Sequence, residues 1–146
     1  MKTIIALHKH WYTADALKVV VCDDVIKIDL EDGLFTFEAL GDLHAAFLRI
    51  STWYSLLYVV VDCWIDLRMK DDEIDFLLSN KKMVEGLRQF HHAISHYQGD
   101  PMDSELMTFL EQEESEVWVR KTHQAFKNYI EKHLPIEEMF AFVLRK

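Results

Sequence analysis

The chain is poor in the residues that build tight turns, covalent cross-links and cysteine metal sites. Its 146 residues include only four glycines, two prolines and two cysteines. So few glycines and prolines exclude the many turns of an all-β sandwich and favour helices. The two cysteines, Cys22 and Cys63, form no C-x-x-C pair. This excludes a disulfide framework or a cysteine-based structural zinc site and fits a reducing cytosol.

Several catalytic signatures are also absent. The sequence contains no G-x-G-x-x-G, no G-x-x-x-x-G-K-[ST], no H-E-x-x-H and no G-x-S-x-G. It therefore lacks the motifs of a dinucleotide site, a P-loop, a zinc protease and a serine nucleophile elbow. We expect neither a cofactor nor a bound metal ion.

Positive charge and long apolar runs are scarce as well. The formal net charge is −9, and such a surface repels a phosphate backbone, so no DNA binding is expected. The N-terminal apolar residues meet His8, Lys9 and His10 before a signal peptide can form. The strongest apolar stretch, 50–61, has about 12 residues, short of the ~18 that span a bilayer. These features predict a cytoplasmic protein without a membrane partner.

What the chain does contain is enough apolar material for one core. Apolar residues make up 50% of it and aromatic residues 12%, which excludes disorder of the whole chain. The length is that of one domain, so residues 1–146 are predicted to form a single all-α domain. We expect an antiparallel bundle of about four to five helices, with a short hairpin or an irregular loop over 25–37 around Asp32-Gly33.

Apolar residues at spacings of three or four place the helices. The periodicity is longest from Phe37 to Trp64, which predicts the central helix of the fold. Asp71 or Asp72 is a suitable N-cap for a short helix, and Gly99 followed by Pro101 is a stop signal. The predicted helices are 3–21, 37–64, a short helix ending at 78, 80–98, 104–111, a long helix that follows the acidic run 111–116 and ends near 134, and a terminal helical appendage over 136–146.

The densest set of ionisable side chains lies in the helix predicted over 80–98. Arg88, His92 and His96 are spaced i, i+4 and i+8, so they form one stripe on the exposed side, with His91 on its flank. The opposite face is predicted to be buried and carries Met83, Leu87, Phe90, Ile94 and Tyr97.

Three interpretations of this stripe compete. The first is an ordinary solvated helix face. The second is a metal site, because His92 and His96 can chelate a divalent ion, although the spacing fixes no third ligand. The third is acid–base chemistry or anion recognition, in which a neutral histidine takes a proton and a cationic group holds a phosphate.

A family resemblance rests on these residues. The segment Phe90-His-His-Ala-Ile-Ser-His96 resembles the signature helix of HEPN domains, whose motif is an arginine, a polar residue, a short spacer and a histidine. The segments 54–64, 106–110 and 117–126 resemble small bacterial proteins of this type. The similarity covers about residues 50–134.

The resemblance implies an all-α homodimer in which the motifs of two chains face one cleft. Active members are metal-independent ribonucleases, in which the histidine helps to activate the ribose 2′-OH and the arginine holds the scissile phosphate. Carried over, His96 takes the place of the catalytic histidine and His92 that of the polar residue. His91 stands where the arginine is expected, so a permanent cation is replaced by an imidazole. Arg88, one turn earlier, is the alternative source of positive charge.

The expected function is therefore a candidate endoribonuclease of the toxin or phage-defence type, with His96, His91, His92 and Arg88 as site residues. The alternative is a non-catalytic dimeric interaction or assembly module on the same scaffold. The partners expected are a second copy of the chain, an RNA substrate and a cognate protein.

Other conspicuous residues have structural interpretations. Asp62 interrupts the longest apolar run and is predicted either to face a cleft or simply to lie on the exposed side. His123 and His133 are predicted to be surface residues. Three tryptophans fall in apolar helical patterns and are predicted core residues: Trp53, Trp64 and Trp118.

Overall fold

A computed structural model describes residues 2–24, 37–95 and 104–135. These residues contain six α-helices and no strand, which confirms the predicted all-α fold. The helices are α1 (Lys2–Asp24), α2 (Phe37–Asp66), α3 (Asp72–Leu78), α4 (Lys81–Ser95), α5 (Ser104–Leu110) and α6 (Ser115–His133).

The helix boundaries follow local sequence signals. Asp71, in extended conformation, accepts hydrogen bonds from the backbone N–H groups of Glu73 and Ile74 and so caps α3. The predicted central helix is confirmed as α2. The hairpin or loop was predicted over 25–37, and its last residue, Phe37, begins α2. Residues 25–36, the stop signal within 96–103 and the appendage over 136–146 lie outside the described residues.

Helix α2 is the element around which the others pack. Helix α1 packs along it, α4 packs against it and against α5, and α6 contacts both α1 and α3. Buried residues of α2 form the centre of the core because they recur on one face of the helix. The prediction that three tryptophans belong to the core is confirmed for Trp53, Trp64 and Trp118.

The apolar part of α2 is longer than the sequence analysis predicted. Its segment His44–Asp66 has 23 residues, and an 18-residue window within it has a mean hydropathy of 1.2, which by length and composition is enough to cross a membrane. The prediction of a run too short to span a bilayer is therefore wrong about length, because the helix continues its apolar pattern before Ile50. Since 44% of that window is buried within the fold, the segment also meets the description of a central core helix.

Candidate functional site

The histidine-bearing helix α4 is fixed on the bundle by its apolar face. Asn80 caps its start, because the Asn80 Oδ1 accepts a hydrogen bond from the Met83 N–H at 3.3 Å. Met83, Leu87 and Phe90 are buried, as predicted, and Ile94 packs partly buried against the same core. The opposite face of α4 is therefore held toward solvent.

His91 lies on the flank of α4 and reaches across to α2. Its Nδ1 is 2.7 Å from the hydroxyl oxygen of Ser55 and 3.1 Å from the Ser55 carbonyl oxygen. The side chain of His91 is half-buried, and that of Ser55 is buried. The contact therefore fixes the ring at the junction of two helices.

The partners of His91 determine which ring nitrogen carries the proton. A carbonyl oxygen can only accept a hydrogen bond, so Nδ1 donates to Ser55. In the neutral ring Nε2 is then unprotonated and available as a base. It lies 3.5 Å from the hydroxyl of Ser95, an exposed residue. Because the Ser55 hydroxyl and carbonyl both accept, the same geometry also accommodates the protonated ring.

Tyr58 and Asp62 extend this arrangement along α2. The Tyr58 ring centroid is 5.0 Å from that of His91, with the planes tilted by 35°, and the Tyr58 hydroxyl donates to Asp62 Oδ1 at 3.4 Å. Burial, followed by the negative charge of Asp62, raises the pKa of Tyr58. The phenol therefore stays protonated at neutral pH. Asp62 is exposed, on the surface as one of its two predictions had it, and its hydrogen bond is to Tyr58.

Arg88 is exposed, as predicted, and it pairs with a carboxylate. Its Nε and Nη2 donate to the two oxygens of Glu85 at 2.8 and 2.6 Å. Gln89 donates to the same carboxylate at 3.1 Å, and the hydrogen bond from Arg88 is the main cause of the lowered pKa of Glu85. A phosphate bound at Arg88 would have to compete with Glu85.

The remaining members of the predicted stripe are His92 and His96. His92 is exposed on the same side of α4 as Arg88, as the helical spacing predicted. His96 lies outside the described residues. The described structure thus brings His91 together with Ser55 and Tyr58, neither of which was singled out from the sequence, and Tyr58 in turn contacts Asp62.

The prediction that His123 is a surface residue is wrong. Its side chain is 0% exposed because position 123 falls on the apolar face of α6, in register with Val119, Phe126 and Ile130. The Trp53 indole N–H donates to Nδ1 at 3.3 Å, and Nε2 lies 2.9 Å from Asp15 Oδ1. His123 therefore joins α6 to α2 and α1.

The surroundings of His123 select its neutral form. An indole nitrogen can only donate, so Nδ1 must be unprotonated and the proton lies on Nε2, which donates to Asp15. Burial is the main cause of a lowered pKa at His123, and the hydrogen bond to Asp15 opposes it. His133, by contrast, is exposed as predicted.

No metal site is assembled by the part of the chain that the structure describes. Within residues 2–24, 37–95 and 104–135, no three His, Cys, Asp or Glu side chains lie close enough together to hold an ion. Cys63, a residue of α2, is a free thiol. The hydroxyl and titratable side chains around His91 form one hydrogen-bonded group in this part of the chain.

Comparison with known proteins does not identify the chain. No family model, no curated protein and no solved structure matches it.

Proposed function

We propose that the chain is a HEPN-like cytoplasmic protein that cleaves RNA without a metal ion, as a toxin or phage-defence ribonuclease. It would act as a homodimer paired near α4, because one stripe on one helix is too small for a cleft and a two-fold axis doubles it. His96 and His91 carry the protons, and His92 and Arg88 hold the phosphate.

The proposed reaction is an internal transesterification. A neutral histidine takes the proton of the ribose 2′-OH, and the 2′ oxygen forms a bond to the adjacent phosphorus. The bond from phosphorus to the 5′ oxygen of the next nucleotide breaks, and that oxygen receives a proton from a protonated histidine. The products are a 2′,3′-cyclic phosphate and a free 5′-hydroxyl, so no oxidant, reductant or metal is consumed.

The observation that carries this proposal is the hydrogen bonding of His91. Ser55 holds Nδ1 as a donor and leaves Nε2 as the nitrogen that exchanges a proton. A partner that orients one ring nitrogen while the other does chemistry is the usual arrangement of an acid–base histidine. The same contacts tolerate the imidazolium, so His91 can alternate between acid and base.

A second function is favoured by the pairing of Arg88. Its guanidinium is bound by both oxygens of Glu85, His91 replaces the expected motif arginine, and the net charge is −9. Each of these features weakens attraction to RNA. They favour a non-catalytic dimeric module that uses the same α4 surface to bind a protein.

One set of variants separates the two functions. Wild type, His96→Ala, His91→Arg and His133→Ala are incubated with one RNA, with and without a chelator. For a nuclease we expect wild-type cleavage that survives the chelator and a loss of about 10²–10⁴-fold in His96→Ala. His133→Ala removes an exposed histidine of α6 and should cleave as wild type does.

The arginine variant tests the proton-transfer role of His91. An arginine at position 91 can still donate to the Ser55 carbonyl and supplies a permanent, bidentate cation, but it cannot exchange a proton, so cleavage should fall about as far as in His96→Ala. Cleavage that increases or appears in His91→Arg would overturn that role and show that position 91 serves to hold the phosphate. If neither the wild type nor any variant cleaves RNA, the nuclease proposal is overturned and the binding module is left. A protein that sediments only as a monomer at tens of micromolar would contradict pairing through α4.

A further inference from the structure

A cavity separate from the His91 group lies where the end of α2 meets α3 and the start of α4. Its volume is about 490 Å³, which is within the range of small-molecule sites. Trp64, Met69 and Leu78 give it an apolar wall, and Trp64 and Leu78 belong to the buried core. The cavity therefore has a firm apolar side as well as an opening to solvent.

The rim of this cavity is positively charged in a strongly acidic protein. Arg68, Lys70 and Lys81 line it, and Asp75 is the one carboxylate among its lining residues. Asp75 is already engaged, because its Oδ1 accepts from the Trp64 indole at 3.2 Å and its Oδ2 is 3.7 Å from Lys70 Nζ. The cavity is thus lined by three cationic side chains and one carboxylate, although the formal net charge of the chain is −9.

Arg68 holds its place on this rim in an unfavourable backbone conformation. Its φ is 51°, in the left-handed region that glycine adopts most readily. The backbone N–H of Arg68 donates to the Ile65 carbonyl and that of Met69 to the Trp64 carbonyl. This is the Schellman ending of α2, with Arg68 at the position where glycine is usual. Backbone strain of this kind is concentrated at functional sites, and here it occurs at a residue that lines the cavity.

We propose that this cavity binds a small amphipathic anion, with its acidic group between Arg68 and Lys81 and its apolar body against Trp64, Met69 and Leu78. The inference does not depend on the proposed ribonuclease function, because the cavity includes none of the residues assigned to RNA cleavage. The class expected is an organic carboxylate or phosphate with an aromatic or aliphatic body.

The probe for the test is 4-phenylbutyrate, compared with the neutral 4-phenylbutanol and with inorganic phosphate. Binding to the whole chain is followed by the indole N–H resonances of its four tryptophans. Trp64 lines the cavity, so its resonance should shift while those of Trp11, Trp53 and Trp118 stay in place. Phenylbutyrate should bind roughly tenfold more tightly than either comparison compound, because only it supplies both the charge and the apolar body.

Adjacent lysines supply the matched variants. Lys81 lines the cavity and Lys82 does not, so Lys81→Gln should weaken binding of phenylbutyrate about tenfold and Lys82→Gln should leave it unchanged. Arg68→Gly should weaken binding to a similar extent while unfolding no more easily than wild type, because glycine relieves the backbone strain. A loss of binding in that variant therefore cannot come from unfolding.

Each contrary result overturns the proposal. These results are an unshifted Trp64 resonance at millimolar phenylbutyrate, equal binding of the neutral alcohol, equal binding of inorganic phosphate, and equal losses in Lys81→Gln and Lys82→Gln. A failed RNA-cleavage experiment leaves all of these readouts intact, so the two proposals can fail separately.

Discussion

The indole N–H of Trp53 donates a buried hydrogen bond to the Nδ1 of His123, and the two nitrogens are 3.3 Å apart. Trp53 is 1% exposed and His123 0% exposed, so water cannot replace this hydrogen bond. Trp53 therefore does more than fill volume in the core: it determines which nitrogen of His123 carries the proton. The bond links α2 to α6, and the Asp15 contact of the same ring adds α1.

Trp53→Phe should destabilise the fold because it leaves the buried Nδ1 of His123 without a donor. The expected loss in the free energy of unfolding is about 1–3 kcal/mol, measured by urea denaturation. Trp118→Phe is the control, since the Leu77 carbonyl that Trp118 contacts also accepts from the Asn80 N–H. An equal or larger loss in Trp118→Phe would contradict the role given to the bond.

The stability of the fold should fall as the pH is lowered below about 6.5, the ordinary pKa of histidine. Because burial lowers the pKa of His123 in the folded state, the unfolded chain takes up this proton first. The full contribution of His123 to the free energy of unfolding is therefore present above pH 6.5. It is lost on acidification, with a slope of at most about 1.4 kcal/mol per pH unit. Urea denaturation from pH 7.5 to 5 measures it.

The control for this pH dependence is His123→Gln, which cannot titrate. The wild type should lose stability more steeply with acid than the variant does below pH 6.5. Histidine ring resonances in the folded wild type provide a direct check, because those of His123 should remain those of a neutral ring at pH values just below 6.5. Parallel pH profiles of the two proteins would show that His123 is not the group responsible.

His91 and His123 differ in a way that only the three-dimensional partners reveal. His91 meets oxygen atoms of Ser55 that accept from a neutral or a charged ring, whereas His123 meets an indole N–H that is compatible with the neutral ring alone. The first geometry permits proton exchange and the second opposes it. This contrast is why the catalytic proposal uses His91 and the stability predictions use His123.

Local patterns predicted much of the fold. The apolar repeat predicted α2, and the N-cap preference of aspartate predicted the start of α3, because both depend on residues within a few positions of one another. The repeat of α6 also held the signal that His123 is buried, since position 123 is four residues after Val119 and three before Phe126. The prediction that His123 is exposed followed the usual polarity of histidine instead of this repeat.

The composition of the candidate site could not be predicted in the same way. Ser55 and His91 come together from different helices, as do Asp15 and His123, and a single sequence does not specify such distant pairs. Helical spacing correctly placed Arg88 and His92 on the exposed face. It could not predict that Glu85 would occupy the guanidinium of Arg88, because rotamers of exposed side chains are not set by periodicity.

Asp71→Ala should destabilise the protein more than Asp72→Ala. The Asp71 carboxylate accepts from two otherwise unpaired N–H groups at the start of α3, and loss of such a cap costs about 0.5–2 kcal/mol. Asp72 lies in the first turn, where its charge contributes about 0.3–1 kcal/mol through the helix dipole. Thermal unfolding of the two variants at low salt compares them, and a larger effect of Asp72→Ala would refute the assigned cap.

Gly86→Ala and Gly41→Ala should have opposite effects although both glycines lie inside helices. A Cβ at position 86 would lie 2.8 Å from Cδ2 of Phe109, whereas a Cβ at position 41 would meet nothing within 4 Å. Phe109 is 1% exposed and packs against Phe90 and Tyr54, with ring centroids 5.7 and 6.2 Å apart. Its ring therefore has little room to retreat, and the contact between α4 and α5 must open.

Alanine favours a helix over glycine by about 1 kcal/mol, so Gly41→Ala should raise the free energy of unfolding by about 0.5–1 kcal/mol. At Gly86 the same gain is opposed by an overpacking cost of about 1–3 kcal/mol, and we expect a net loss. Urea denaturation measures both variants. Phe109→Leu combined with Gly86→Ala should recover part of the loss, since a smaller side chain makes room for the Cβ. Stabilisation by Gly86→Ala alone would show that α5 packs less closely on α4 than the 2.8 Å approach requires.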